Sequence, residues 1–399
     1  MHWTQRLDQY FPVLDFLLPN QRYWEVLDSV NIVEPGDEMP VRVITVPKTL
    51  KTPRIIAIEP ACMQYAQQAL MEVIVEGIER DELLSPLIGF TDQIPNQEMA
   101  RRGSLDGTLA TLDLSEASDR VSNRHVIALT ALHPHLAGAV QACRSTKADV
   151  PGYGVVPLAK FASMGSALCF PFEAMVFTTI VVMSIAQQLN TPVTAKLVKS
   201  LAGRVRVYGD DIIVPVEFAP GVIASLEGFG LRVNRHKSFT DGNFRESCGG
   251  DFFMGARVTP VRVRKLLPQS RAHVLEIVSA VSLRNQLFAI GCEGSVAWLD
   301  RLVGRLLPIY PEVPVGSPAL GRHVHGPISG DVRTSRTLHT PVFKGCVVSA
   351  EIPVSNLEDH GALMKFFLNR SDEPLERDSF RRAGRPSSVR ITTRWVSLI

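Results

Sequence analysis

Several features are scarce or missing in this chain, and each absence narrows what it can be. No two of its six cysteines, Cys62, Cys143, Cys169, Cys248, Cys292 and Cys346, lie within a C-x-x-C spacing. That pattern predicts six reduced thiols in a cytosolic protein rather than a disulfide framework. The N-terminus, MHWTQRLDQYFPVLDFLLPNQ, has Asp8 and Asp15 interrupting its apolar residues, which argues against a signal peptide. The longest apolar run, AMVFTTIVVMSIA at 174–186, reads as too short for a bilayer and is entered through Pro171 and Glu173. It predicts a buried helix and no membrane span. Strong net charge is missing as well, since 42 Lys and Arg against 40 Asp and Glu leave +2. The chain is no polycation, so any binding of nucleic acid requires positive charge focused in a groove. Internal repeats, heptads and low-complexity tracts are absent.

What is present is the composition of a globular protein. Apolar residues make up 45% and charged residues 21% of 399, enough for one large multi-lobed body or two to three domains. Residues 41–59, VRVITVPKTLKTPRIIAIE, read as two strands around a basic turn. From Gln64 to Arg80 apolar residues recur at helical spacing. LATLDL at 109–114 is a short strand with an acid near its end. Ser122 is placed to N-cap a helix through Val126, Ile127, Leu129 and Leu132. A hairpin is expected around Gly152–Pro157, then a loop at Ser163-Met164-Gly165, then the apolar helix. Further on come the hairpin RVRVYGDDIIVPV (204–216), a helical segment (221–229), a strand near Leu231–Asn234 and a hairpin at 243–258. Residues 265–365 read as mainly helical, with a Pro/Gly/His-rich interruption at 307–330. The tail is basic, with Arg381, Arg382, Arg385, Arg390 and Arg394 and no acid after Asp378.

The chemistry-bearing residues fall along this pattern. Asp210 and Asp211 occupy the tip of an otherwise apolar hairpin, where adjacent acids repel each other and are costly to bury. A solvated Gly-Asp turn is the ordinary explanation. A divalent cation removes the repulsion, because Mg2+ takes carboxylate oxygens and keeps the rest of its shell for water and phosphate. If the strand ending in Asp113 lies beside 204–208, the three carboxylates could hold two ions about 3.5–4 Å apart, the spacing used for in-line phosphoryl transfer. Lys48, Lys51 and Arg54 lie within seven residues, a cluster suited to a triphosphate and equally to a solvated turn. Ser163, Gly165 and Ser166 precede a helix and would let backbone approach a ligand, although a tight strand–helix turn accounts for them as well. Lys237, in GLRVNRHKSF, is a candidate general acid for a leaving pyrophosphate or a surface lysine. The pairs His133–His135 and His323–His325 lack the neighbours that would complete a tetrahedral zinc set.

Each signal is modest alone, but their order is informative. Basic turn, strand-end Asp, Gly loop with helix, YGDD hairpin, Lys and final hairpin follow the layout of a template-directed polymerase palm. DLSEASD, SMGSALCFPFEAMVF, YGDDIIVP and FRESCG resemble the replicase catalytic subunit of the leviviruses, the single-stranded RNA bacteriophages. VPKTLKTPRIIAIEP is similar to that family's basic fingers motif. The resemblance spans roughly 41–257. It implies an α+β right-hand fold, with partial fingers at 1–108, a palm at 109–257 carrying a fingers insertion near 120–160, and a thumb with basic tail at 258–399.

The resemblance also implies RNA-directed RNA polymerase activity with two Mg2+ ions, Mn2+ being a substitute. Asp113 and Asp210 would be the main metal ligands, Asp211 their support and Asp119 a sensor of the ribose 2′-OH. Lys48, Lys51 and Arg54 would face the incoming ribonucleoside triphosphate, and Ser163, Gly165 and Ser166 would line the nucleotide and template loop. Implied partners are template and nascent RNA, host elongation factors Tu and Ts and a small-subunit ribosomal protein, in the cytoplasm of the bacterial host. The chain departs from the pattern at Cys169, where Thr is frequent, and at Glu173, where many polymerases carry Asn. About 45 residues precede the basic motif, fewer than the family's N-terminal fingers region, so a truncated or minimal form is expected. Three other readings compete. The replicase of a capsidless or mitochondrial RNA virus would share the chemistry. A reverse transcriptase would carry a bulky aromatic gate shortly after the residue matching Asp113, and Leu114–Ser118 has none. A non-catalytic RNA-binding derivative would have lost a motif carboxylate, and all three are present.

Overall fold

A computed structural model of the chain describes residues 2–17, 30–47, 53–324, 326, 332–336, 339–350 and 389–397. The chain divides into two compact units, Met1–Pro260 and Val261–Ile399.

In the N-terminal unit the β-branched residues around the basic turn form antiparallel strands Val41–Pro47 and Pro53–Ile58, in register from Arg42↔Ile58 to Pro47↔Pro53. The turn between them, with Lys48 and Lys51, lies outside the described residues. Val41–Pro47 also pairs in parallel with Lys147–Val150, which forms a hairpin with Gly154–Pro157. The predicted amphipathic helix is Ala61–Arg80 and buries Cys62, Met63, Ala66, Gln67 and Ile78.

A second sheet carries the acidic strand ends. Its order is Leu109–Asp113, then Asp211–Pro215 in the middle, then Arg206–Tyr208. Ile213 is buried on one face with Met99, Leu109 and Phe252, and Ala110, Leu112, Ile212 and Val214 are buried in the main core on the other, each large aliphatic contributing roughly 1.5–3 kcal/mol on burial. The helix Cys169–Gln188 belongs to the same core, with Phe172, Phe177, Val181 and Ile185 buried among these residues. The apolar run was expected to be too short for a membrane. The helix extends it at both ends to 20 residues, long and apolar enough to cross one, yet 78% of its most apolar window is buried inside the protein. Its apolar surface packs on protein, as the expected core helix does.

Two further contacts fix the outer strands. Arg206 donates from Nε to Asn96 Oδ1 at 3.0 Å and from Nη1 to the Ser85 and Pro86 carbonyls. Arg245, 1% exposed, donates to the carbonyls of Leu109, Asp241, Gly242 and Phe244. It thereby ties the hairpin Phe244–Ser247/Gly250–Phe253 to the start of the Asp113 strand. The turn of that hairpin is Cys248-Gly249, both with positive φ (49° and 69°), as a type I′ turn requires. The stretch near Leu231–Asn234, expected as a strand, makes a single bridge, Leu114↔Val233.

In the C-terminal unit, helices Val274–Ala289 and Glu293–Leu306 pack through Ile277, Ala280, Val281 and Val303. Beyond Leu306 the expected helical content does not appear among the described residues. Short strands Ala319–Leu320 and Val332–Thr334 flank Pro341–Ala350 on one side, and Val389–Ser397 pairs along its other side from Val342↔Ser397 to Ala350↔Val389. The physical reason is composition: PVFKGCVVSA carries Pro, Gly and β-branched residues that disfavour helix and suit a pleated surface. Arg390 and Arg394 of the basic tail lie in that last strand. Arg381, Arg382 and Arg385 lie outside the described residues.

Candidate active site

The sheet brings the three motif carboxylates to one edge. Asp113 ends its strand directly opposite Asp211, so the two side chains share a face. Asp210 occupies the exposed tip of the neighbouring two-residue turn. Gly209 precedes it with φ 57°, the positive value that primed hairpin turns require at their first position. A side chain there is also excluded by space, because a Cβ would lie 2.5 Å from the Phe170 ring and 3.4 Å from Glu173 Oε1. Phe170 stacks edge-on against Tyr208, whose hydroxyl donates to the Phe90 carbonyl at 2.9 Å.

The two acids of the pair differ. Burial pushes the Asp211 carboxyl up to about 6, with Asp210 and Asp113 adding to the shift, while the Cys248 backbone N–H donates to it and opposes the rise. Asp211 is therefore anchored inward on the Cys248-Gly249 turn, and Asp210 faces out. The Cys248 thiol is itself pushed up to about 12 by burial and by Asp211.

Asp113 is held from the segment after the helix Ala219–Gly228. Asn234 donates from Nδ2 to Asp113 Oδ2 at 2.8 Å, and its backbone N–H donates to the Asp113 carbonyl at 2.8 Å. The Ser238 hydroxyl accepts the Asp113 N–H at 3.1 Å. Lys237 places Nζ 4.0 Å from Asp113 Oδ1. Thus Asp113, Asp210, Asp211 and Lys237 lie at one edge, although the Asp113 strand pairs with Asp211–Pro215 and not, as expected, with 204–208. Among the described residues, however, no group of three or more His, Cys, Asp or Glu is arranged as a ready metal cage. The donor chemistry fits a hard divalent cation even so, because a half-buried edge with three acids and one lysine carries uncompensated negative charge.

Asp119 sits on a short turn of helix, 117–120, and pairs with Lys160 Nζ. Glu173, on the first turns of the apolar helix, is pushed up to about 8 by burial first and then by Asp210 and Asp119. The glycine loop is built against the strand of the basic motif. Gly165 has φ 124°, and a Cβ on it would fall 2.1 Å from the Ala57 carbonyl oxygen. The Ala57 N–H donates to the Met164 carbonyl at 2.8 Å. Ser163 and Ser166 are buried, and the Ser166 hydroxyl donates to Gln67 Oε1 at 2.9 Å. Arg54 is exposed on the Pro53–Ile58 strand, and among the described residues it forms no ion pair with the carboxylates.

Sequence reasoning did not find Asn234, Lys160, Gln67 or Cys248. Each acts across a chain separation that no local pattern reveals, 121 residues for Asn234 and Asp113. Cys248 alone left a signal: it occupies a turn position where Asn or Asp before Gly is usual.

Residues 37–282 match the family described as RNA replicase, beta-chain, and the chain belongs to that family. It is 33% identical over 301 residues to the RNA-directed RNA polymerase beta chain of Enterobacteria phage fr, covering 72% of this chain and 50% of that one. It is 38% identical over 223 residues to the corresponding protein of Escherichia phage MS2, covering 56% and 37%. The chain thus spans about half or less of the length of these curated relatives. Among solved structures it is similar to the RNA-dependent RNA polymerase of a human picobirnavirus, with TM-score 0.49 and 11% identity over 67% of this chain and 57% of that one.

Proposed function

We propose that this chain carries the catalytic centre of an RNA-directed RNA polymerase, with residues 1–108 as partial fingers, 109–257 as palm and 258–399 as thumb. The observation that carries this reading is the convergence of Asp113, Asp210 and Asp211 on one sheet edge with Lys237 4.0 Å from Asp113. Asp113 and Asp210 would hold Mg2+, as two ions, with Asp211 in support. Bound there, the ions would supply an activated 3′-hydroxyl and neutralise charge on the triphosphate.

The protein's own groups prepare and complete that chemistry. Asn234 orients the Asp113 carboxylate by holding Oδ2, and the Cys248 N–H keeps Asp211 turned inward. Lys237 would give a proton to the departing pyrophosphate. Lys48, Lys51 and Arg54 would neutralise the incoming triphosphate. Asp119, steadied by Lys160, would test the ribose 2′-OH. The hydroxyl of Ser166 is engaged with Gln67, so the Ser163–Ser166 loop would meet a nucleotide through its backbone at Gly165. RNA template, nascent RNA and ribonucleoside triphosphates are the implied substrates. The relatives' "beta chain" names suit a catalytic subunit that works with partners, and host elongation factors Tu and Ts and a small-subunit ribosomal protein are the candidates.

The test is incorporation of ribonucleotides on an RNA template by purified protein with Mg2+, with and without those host proteins, beside Asp210→Asn. The substitution should lower incorporation by at least about a hundredfold, in line with removing a principal charge stabiliser. Equal rates in the two proteins would sink the metal assignment. Absence of incorporation in the parent under both conditions would overturn the catalytic reading.

A further inference from the structure

The C-terminal unit concentrates the positive charge that the whole chain lacks. Residues 261–399 hold 19 Lys and Arg against 12 Asp and Glu, whereas residues 1–260 hold 23 against 28. Three described side chains on one sheet face give that surplus a shape. Lys344 lies directly opposite Trp395 in the pairing of Pro341–Ala350 with Val389–Ser397. Arg333 pairs with Val342 on the other side of the same strand, two residues from Lys344, so all three project from one face. The Arg333 guanidinium stands 4.8 Å from the centre of the Trp395 ring, and Trp395 is 44% exposed.

A plain structural role explains part of this. Charges on a sheet edge prevent edge-to-edge pairing, and an Arg over a Trp adds about 0.5–1 kcal/mol at an exposed site. Neither accounts for Lys344, which lies on the central strand of the sheet and is paired with Trp395. Neither requires a large aromatic ring to be half open beside two cations. Among the described residues, neither Arg333 nor Lys344 has a carboxylate partner. A half-exposed aromatic residue beside two cations on one sheet face is an arrangement that stacks a base and holds its phosphates.

We propose that Trp395, Arg333 and Lys344 form a contact surface for single-stranded RNA on the C-terminal unit, outside the carboxylate site. The choice of RNA rests on the polymerase reading above. The ring takes a base, Arg333 extends the stack and meets the phosphate, and Lys344 meets the next phosphate. An acidic protein segment would answer to the same cations but not to the ring, which is what separates the two occupants.

The experiment measures binding of a labelled twelve-nucleotide oligouridylate to the full chain by anisotropy across a salt series, without catalysis. Trp395→Ala should weaken binding about 5- to 100-fold, the range for one stacked base, while Trp395→Phe keeps most of the affinity. Arg333→Gln and Lys344→Gln should each reduce the slope of log affinity against log salt by about 0.7. Unchanged affinity in Trp395→Ala, equal losses in the Ala and Phe variants, or displacement of the oligonucleotide by polyglutamate as readily as by unlabelled RNA would each overturn the proposal. The outcome is separable from the catalytic one. Absence of incorporation in the parent would remove the polymerase reading and leave these binding data standing, whereas unchanged binding in Trp395→Ala would remove the contact surface and leave the incorporation data standing.

Discussion

The two units of this chain treat their charged residues in opposite ways. In the N-terminal unit, acids crowd together with few counter-charges: Asp211 and Glu173 are both driven toward the neutral form by burial and by other acids. In the C-terminal unit, the buried charge is matched. Arg284, 5% exposed, grips Asp300 with two hydrogen bonds of 2.9 and 3.0 Å, donates to the His323 carbonyl and lies 4.9 Å from the centre of the Phe288 ring. A matched pair holds a fold together. An unmatched cluster is a standing cost, tolerated where something positive is to bind. The contrast separates residues that stabilise the fold from residues that strain it.

Glycines offer the sharpest way to test that separation. Gly165→Ala in the loop before the apolar helix combines a positive φ with a 2.1 Å approach to the Ala57 carbonyl. Neither can be relieved without moving the loop, and a loss of about 3 kcal/mol or more is expected. Gly304→Ala lies within the helix Glu293–Leu306, where nothing stands within 4 Å of the added carbon. There the change should stabilise by roughly 0.5–1 kcal/mol. Denaturant unfolding of the two variants checks both signs. A neutral Gly165→Ala would mean that the loop does not lean on the basic strand.

Next in size is Arg284→Ala, which strands Asp300 and should cost about 3 kcal/mol. Hydrogen exchange should report the loss in 274–306 and leave the helix Cys169–Gln188 protected. A loss spread evenly over both units would break the comparison, because it would make the pair part of a common core.

The same contrast explains what could be read from residues alone. The carboxylate edge was legible because strand ends and turns constrain residue type: Asp113 closes a strand, and Gly209 is the residue that the turn before Asp210 permits. The supports of that edge were not legible. Asn234 reaches Asp113 only after Val233 bridges Leu114, and Lys160 reaches Asp119 across 41 residues. In the C-terminal unit the expectation of helix failed at 341–350. A short apolar run such as Cys346-Val347-Val348 fits either a buried helix or a strand, and only the partner at 389–397 decides. Cys346-Val347-Val348 itself carries no motif that would have decided between the two.

The smallest and most specific effect concerns Glu173. Its carboxyl ionises near pH 8 when folded, against an ordinary 4.5, so the folded protein binds a proton that the unfolded chain has released. Between those values the folded state holds more protons, and stability must fall as pH rises. The contribution is complete below about pH 4.5, is lost progressively toward pH 8 and is level above it. Asp211, raised from 3.8 to about 6, adds a loss in the lower part of the window. Glu173→Gln removes the upper part, so its melting temperature in a chelator should decline less than the parent's between pH 6 and pH 8. Tyr310, buried in the C-terminal unit, has its phenol pushed up instead and contributes nothing over this range. Added Mg2+ should flatten the parent's slope, because a cation at Asp210 offsets one of the two acids that Glu173 faces. Identical pH slopes in parent and Glu173→Gln would show that the crowding of acids at this edge is not a strain that a cation relieves.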